Sequence, residues 1–106
     1  MNANRDADRW GALADGTRLA IVARLADGPQ AVGQLAAGLP VSRSAVSQHL
    51  KILKDAGLVE DVAAGTRRIY RLNPAALAAL RDQLDTYWQR ALARYADVVE
   101  TPKEED

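Results

Sequence analysis

Arg43, Ser44, Ser47, Gln48 and Lys51 are the residues of this chain whose types and spacing best suit recognition chemistry. On a helix, Ser44, Ser47, Gln48 and Lys51 share one side at steps of three, one and three, and Arg43 joins them at the N-terminal end. The set is made of short hydroxyls, an amide and cations. Arginine reads guanine through two hydrogen bonds, glutamine reads adenine, and serine serves either base edges or phosphates. Residues 42–54 contain no acid, so nothing on that face repels a polyanion. The helix N-terminus adds a partial positive charge where a phosphate would approach. The competing reading is a plain solvated face, but exposed helices usually mix Glu with Lys, and this one does not.

A second group is Gly65-Thr66-Arg67-Arg68. Two adjacent arginines beside a flexible turn suit a nucleic-acid backbone or a minor groove. The alternative is protection of an exposed strand edge by basic residues. Strand alternation puts Tyr70 and Leu72 on one face and Arg67, Ile69 and Arg71 on the other. Ile69 does not suit a purely wet face, which leaves open which arginine reaches the ligand. His49, the single histidine, has two readings: a packing residue beside Leu50, which is favoured, or a base or phosphate contact. Catalysis finds no support. Ser47 and His49 are two residues apart on a helix and diverge, and the chain has neither a Gly-x-Ser-x-Gly elbow nor a glycine-rich phosphate loop.

The elements that must position these groups follow from periodicity and stop signals. A first helix is expected from Ala7 to Ala14, with Trp10, Leu13 and Ala14 on one face. Thr17 is the expected cap of a second, Arg18 to Ala26, whose core stripe is Leu19, Val22 and Leu25 with Ile21 alongside. A short helix from Gly33 to Ala37 leads through the turn Gly38-Leu39-Pro40-Val41 to Ser42, a good N-cap for a helix from Arg43 to Ala56. Its core stripe is Val46, Leu50 and Leu53, and Gly57 ends it. Strands are expected at Leu58–Ala63 and Arg67–Leu72, around a turn Ala64-Gly65-Thr66. Asn73-Pro74 opens a last helix reaching about Glu100. The expected fold is mainly α, about five helices with a small β-hairpin wing: a winged helix-turn-helix.

Along the last helix Leu77, Leu84, Ala91 and Val98 recur at intervals of seven. Leu80 and Tyr87 fall between them, and Trp88, Leu92 and Tyr95 widen the stripe. This is more apolar surface than a monomer of 106 residues needs to cover. Trp10, Leu77, Leu80, Leu84, Tyr87, Trp88, Ala91 and Tyr95 are therefore the expected dimer interface; an intramolecular core is the alternative. Residues 1–106 read as one domain, with 74–100 as a dimerisation helix and 101–106 as a flexible acidic tail.

The formal net charge is zero, but its distribution is uneven. Residues 42–71 carry six bases against three acids, whereas residues 97–106 carry one base against five acids. A polyanion meets the local patch rather than the sum. The absence of cysteine excludes disulfides and thiolate zinc sites. Met1 to Trp10 is polar and does not read as a signal peptide, and no run approaches a membrane span, so a cytoplasmic location is expected.

The run Ser42-Arg43-Ser44-Ala45-Val46-Ser47-Gln48-His49-Leu50-Lys51-Ile52-Leu53-Lys54-Asp55-Ala56-Gly57-Leu58-Val59 resembles the recognition-helix signature of the ArsR family of bacterial repressors. Leu13 to Ile21, with its Asp15-Gly16-Thr17-Arg18 segment, resembles that family's start, and Arg67 to Pro74 its second wing strand and exit. The similarity covers about residues 7–99 in the family's order. It implies a homodimeric repressor, usually autoregulatory, that binds an inverted-repeat operator in double-stranded DNA and pairs through its terminal helices. It also implies DNA contacts at Ser42, Arg43, Ser44, Ser47, Gln48, His49, Lys51, Thr66, Arg67 and Arg68. Many members sense metals. Their Cys-x-Cys positions fall on Ala31 and Gly33 here, and the final helix, where others place His and carboxylates, offers only Asp82, Asp85 and Asp97. No metal and no cofactor is therefore expected. The alternatives are a winged-helix module for protein–protein contact and a metal-responsive repressor.

Overall fold

Ser42 starts the helix on which the site depends. Its backbone is extended, and its Oγ accepts a hydrogen bond from the Ala45 amide at 3.0 Å, which satisfies one of the free donors of the first turn. In the computed structural model, which describes residues 3–100, this helix is α4 (Arg43–Asp55). It follows α1 (Ala3–Ala12), α2 (Gly16–Leu25), a two-residue strand β1 (Gln30–Ala31) and α3 (Val32–Ala37). After it come β2 (Val59–Ala64), β3 (Arg67–Leu72) and α5 (Pro74–Glu100). The expected acidic tail, 101–106, lies outside the described residues, as do Met1 and Asn2.

The fold is five helices and a three-stranded antiparallel sheet of order β1-β3-β2. The third strand was not anticipated. It pairs Gln30 with Tyr70 and Ala31 with Ile69. Ile69, half-buried among exposed arginines, therefore has the buried Ala31 as its neighbour across the strand pair. Ala64 pairs directly with Arg67, so the turn is two residues, Gly65-Thr66, not three. Gly65 takes φ +67°, the left-handed value that the first position of a two-residue hairpin turn of this kind requires.

Two helix starts differ from expectation. Asp15, not Thr17, caps α2: its carboxylate accepts from the Arg18 amide at 3.0 Å, and Thr17 lies inside the first turn. A carboxylate is a strong acceptor at a helix N-terminus, where it also meets the favourable end of the dipole. Helix α1 begins four residues early and ends at Ala12, because its first turn is polar, with an Asp6–Arg9 pair at 3.7 Å, and carries no apolar signal. Ala14 therefore falls in the turn, exposed, rather than beside Trp10. Leu19 is also a correction. It is 53% exposed, while Ile21 and Leu25 are buried. At 100° per residue, Leu19 points roughly 120° away from Leu25, outside the buried sector.

The core gathers Ile21 and Leu25 from α2, Leu35 from α3, and Val46, Leu50 and Leu53 from α4, closed by Leu58 and Val59 behind the helix and by Ala76 and Leu80 of α5. Gly57, at φ +81°, ends α4. Asn73 starts α5 from both sides: its Oδ1 accepts from the Ala75 amide at 3.1 Å, while its Nδ2 donates to the Gly57 carbonyl at 3.0 Å. No helix among the described residues is long and apolar enough to cross a membrane.

Replacing Ser42 by alanine is expected to cost about 1 kcal/mol of stability, and Ser42→Asp to restore it. Thermal melts at fixed protein concentration check this. Equal melting temperatures for the wild type and Ser42→Ala would contradict the capping role.

Candidate nucleic-acid interface

Helix α4 is divided lengthwise. Val46, Leu50 and Leu53 are fully buried, and Arg43, Ser44, Ser47, Gln48 and Lys51 are all exposed on the other side. Burial of the apolar stripe therefore fixes which way the polar set points. Arg43, Ser44, Ser47 and Gln48 make no side-chain hydrogen bond or ion pair within the described residues, so their donors and acceptors face solvent uncommitted. Lys51 reaches Asp55 one turn on, at 3.0 Å, an exposed pair of small energetic weight. Ser42 spends its oxygen on the helix cap.

His49 lies apart from this set. Its half-buried ring faces the start of α2, with Nδ1 3.3 Å from Arg18 Nη1 and 3.9 Å from Asp15 Oδ2. A guanidinium only donates, so this contact uses Nδ1 as acceptor. Arg18 is held in turn by donation from its Nε to the Ala12 carbonyl at 2.7 Å. The Asp15 carboxyl is held below the usual carboxylate range, first by the Arg18 backbone N–H and further by the Arg18 guanidinium charge and the Thr17 backbone N–H. The cluster ties α4 to the α1–α2 turn.

The three wing residues differ in commitment. Thr66 is at the tip. Arg67 is exposed and has no hydrogen bond or ion pair among the described residues. Arg68 donates from Nε to Asp61, which also accepts from Lys54 Nζ at 2.8 Å. Lys54 and Arg68 hold the Asp61 carboxyl below its usual range, and Asp61 raises the Arg68 guanidinium in turn. Arg71 pairs with Glu60 at 3.4 Å. Arg43 from α4 meets Thr66, Arg67 and Arg68 along a cleft of ≈ 600 Å³ whose inner wall is α3, including Val32 and Gln34. The helix start and the wing tip thus border one basic cleft.

Sequence reasoning missed Asp61 and Lys54 as a pair with a role. The signal was present. With Ala64 and Arg67 closing the hairpin, Asp61 and Arg68 become diagonal neighbours on one face. The three-residue turn expected from the sequence hides that register.

The expected interface residues fall into two groups. Leu80 is buried, and Leu77 and Trp10 are half-buried against the protomer's own core; Trp10 Nε1 also donates to Gln83 Oε1, joining α1 to α5. Beyond Gln83 the stripe has no cover. Leu84 is 56% exposed, Trp88 60% and Tyr95 66%, with Tyr87, Ala91 and Leu92 beside them.

A short helix, a tight turn, a helix with one polar face and a β-hairpin beside it define a winged helix-turn-helix protein. Residues 15–61 match the family model described as "Bacterial regulatory protein, arsR family". The chain is 63% identical over 102 residues to HTH-type transcriptional regulator Rv2034 of Mycobacterium tuberculosis, covering 95% of each chain. Among solved structures it resembles an ArsR-like transcriptional regulator from Rhodococcus sp. RHA1, at 35% identity and a TM-score of 0.74, covering 90% of this chain and 92% of that one. It also resembles the homodimeric winged helix-turn-helix DNA-binding domain of Mb0332 from Mycobacterium bovis, at 33% identity and a TM-score of 0.68, covering 86% and 84%. The chain belongs to the ArsR family of transcriptional regulators: it is a DNA-binding regulator and not an enzyme.

Proposed function

We propose that two copies of this chain, joined through α5, bind an inverted-repeat operator in the cytoplasm and repress transcription, including that of their own gene. The observation that carries this reading is the exposed polar face of α4, which carries no acid from Arg43 to Lys54. Arg43, Ser44, Ser47, Gln48 and Lys51 enter the major groove. Thr66 and Arg67 hold the backbone or the minor groove from the wing, because Arg67 is the wing-tip cation with no partner among the described residues. Ser42 supports the helix start, and His49 sets the roll of α4 against α2. The dimer is supported by the uncovered stripe from Leu84 to Tyr95 and by the homodimeric Mb0332 domain. Repression follows from occupancy: a protein seated on a promoter excludes polymerase.

The two surfaces have different signatures. Gln48→Ala is expected to weaken binding to the operator and relax preference at one base position, by about 1–3 kcal/mol. Arg67→Ala is expected to weaken all sequences alike and to lower the salt slope by about one unit. Anisotropy titrations at several salt concentrations, on an operator enriched from the DNA upstream of the gene, separate them. Unchanged base preference in the Gln48 variant would contradict major-groove readout.

We also propose that the regulator answers to no metal ion. The ligand chemistry supports this: there is no cysteine, the one histidine is engaged by Arg18, and Ala31 and Gly33 stand where the resemblance implies thiolates. No group of three His, Cys, Asp or Glu among the described residues could hold an ion. Calorimetry with zinc, nickel and copper is expected to show no tight site; submicromolar binding that changes operator affinity would overturn it.

A further inference from the structure

We propose that Asp61 is a positioning residue for DNA binding, a strut that sets the wing at a fixed distance and angle from the recognition helix. The inference rests on the reading of α4 and the wing as one DNA-binding surface. Three elements meet at this carboxylate: Lys54 comes from the last turn of α4, Asp61 from β2 and Arg68 from β3. Although Asp61 lies on a hairpin, its side chain is only 4% exposed.

The sheet face that carries it shows why a strut is needed. Val59 and Leu72 pair at the base and pack on the core. Next come Asp61 opposite Tyr70, then Ala63 opposite Arg68, then the tip. Beyond Tyr70 that face has no large apolar side chain, and Val62 points outward at 56% exposure. The outer half of the wing is therefore tied to α4 through the Lys54–Asp61 ion pair, onto which Arg68 of β3 is locked, rather than by large apolar side chains. Arg67 sits next to the anchored Arg68, so the reach of Arg67 depends on the anchor.

This assigns Arg68 a role inside the protein, and it opposes simple electrostatics. An acid beside a DNA-binding face should repel phosphate, so its removal should tighten binding. A strut predicts the reverse, because losing it leaves Lys54 and Arg68 without their partner and the wing without its orientation.

The test compares the full-length wild type with Asp61→Asn on two duplexes. One is enriched from a random pool by the wild type; the other is a scrambled duplex of equal length and composition. Asp61→Asn is expected to bind the enriched duplex about tenfold more weakly while binding the scrambled one equally well or better. Equal or tighter binding to both would overturn the proposal. A wild type that enriches no duplex would overturn the underlying DNA-binding reading instead. Arg68→Gln keeps the Lys54–Asp61 pair and serves if Asp61→Asn is unstable. It is expected to weaken the enriched complex without changing the salt slope. A slope lowered by about 0.9 would make Arg68 a phosphate contact and overturn the strut.

Discussion

The double variant Leu84→Glu, Trp88→Glu is expected to remain folded, to run as a monomer, and to lose about 100-fold or more in operator affinity. Both side chains are more than half exposed in the protomer, so charge there breaks no internal packing. The protomer's own core ends at Leu80, one turn earlier. Leu84, Trp88, Ala91 and Tyr95 then continue at steps of four, three and four, the spacing of a helix seam. Facing copies would bury these side chains together, and two carboxylates placed in that seam would be desolvated without partners. A monomer engages one half-site only and loses the gain from tethering the second. Analytical ultracentrifugation and anisotropy on the same samples check both parts. A variant that stays dimeric would place the interface elsewhere.

Leu50→Ala is expected to cost 2–5 kcal/mol of stability, a large share of the 5–15 kcal/mol that a domain of this size has. Leu50 of α4 is fully buried in the core that Ile21 and Leu25 of α2 and Leu35 of α3 share, so truncation leaves a cavity in that core. It also sits behind Ser47, Gln48 and Lys51 on the same helix, and their aim depends on its packing. The melting temperature should fall by about 4–8 °C per kcal/mol, measured at fixed protein concentration because dimerisation shifts it. A fall of less than about 4 °C would mean that the helix is held by something other than this core.

Much of this architecture is written in local signals. Ser42 before a polar helix, Gly57 after it, and Asn73-Pro74 before the last helix each name a backbone conformation, and each stands where the chemistry requires. The division of α4 into a buried and an exposed face follows from its 3.6-residue period. Features that depend on pairing across the chain were not legible. Strand β1 is two residues long, and its partners lie about forty residues away. The commitment of Arg68 to Asp61 depends on hairpin register, which turns on whether the loop has two residues or three. The half-buried ring of His49 meets Arg18 and Asp15, partners more than thirty residues away that no local spacing names. Leu19 shows the limit of counting by threes, since that step drifts out of the buried sector.

Chemical footprinting of the enriched operator bound by the full-length protein tests the central claim most directly. Two α4 helices related by a twofold axis are expected to protect two major-groove segments on one face of the duplex, with dyad symmetry, about 10 base pairs or a multiple apart. Protection confined to one groove segment, or none at low salt, would contradict the account.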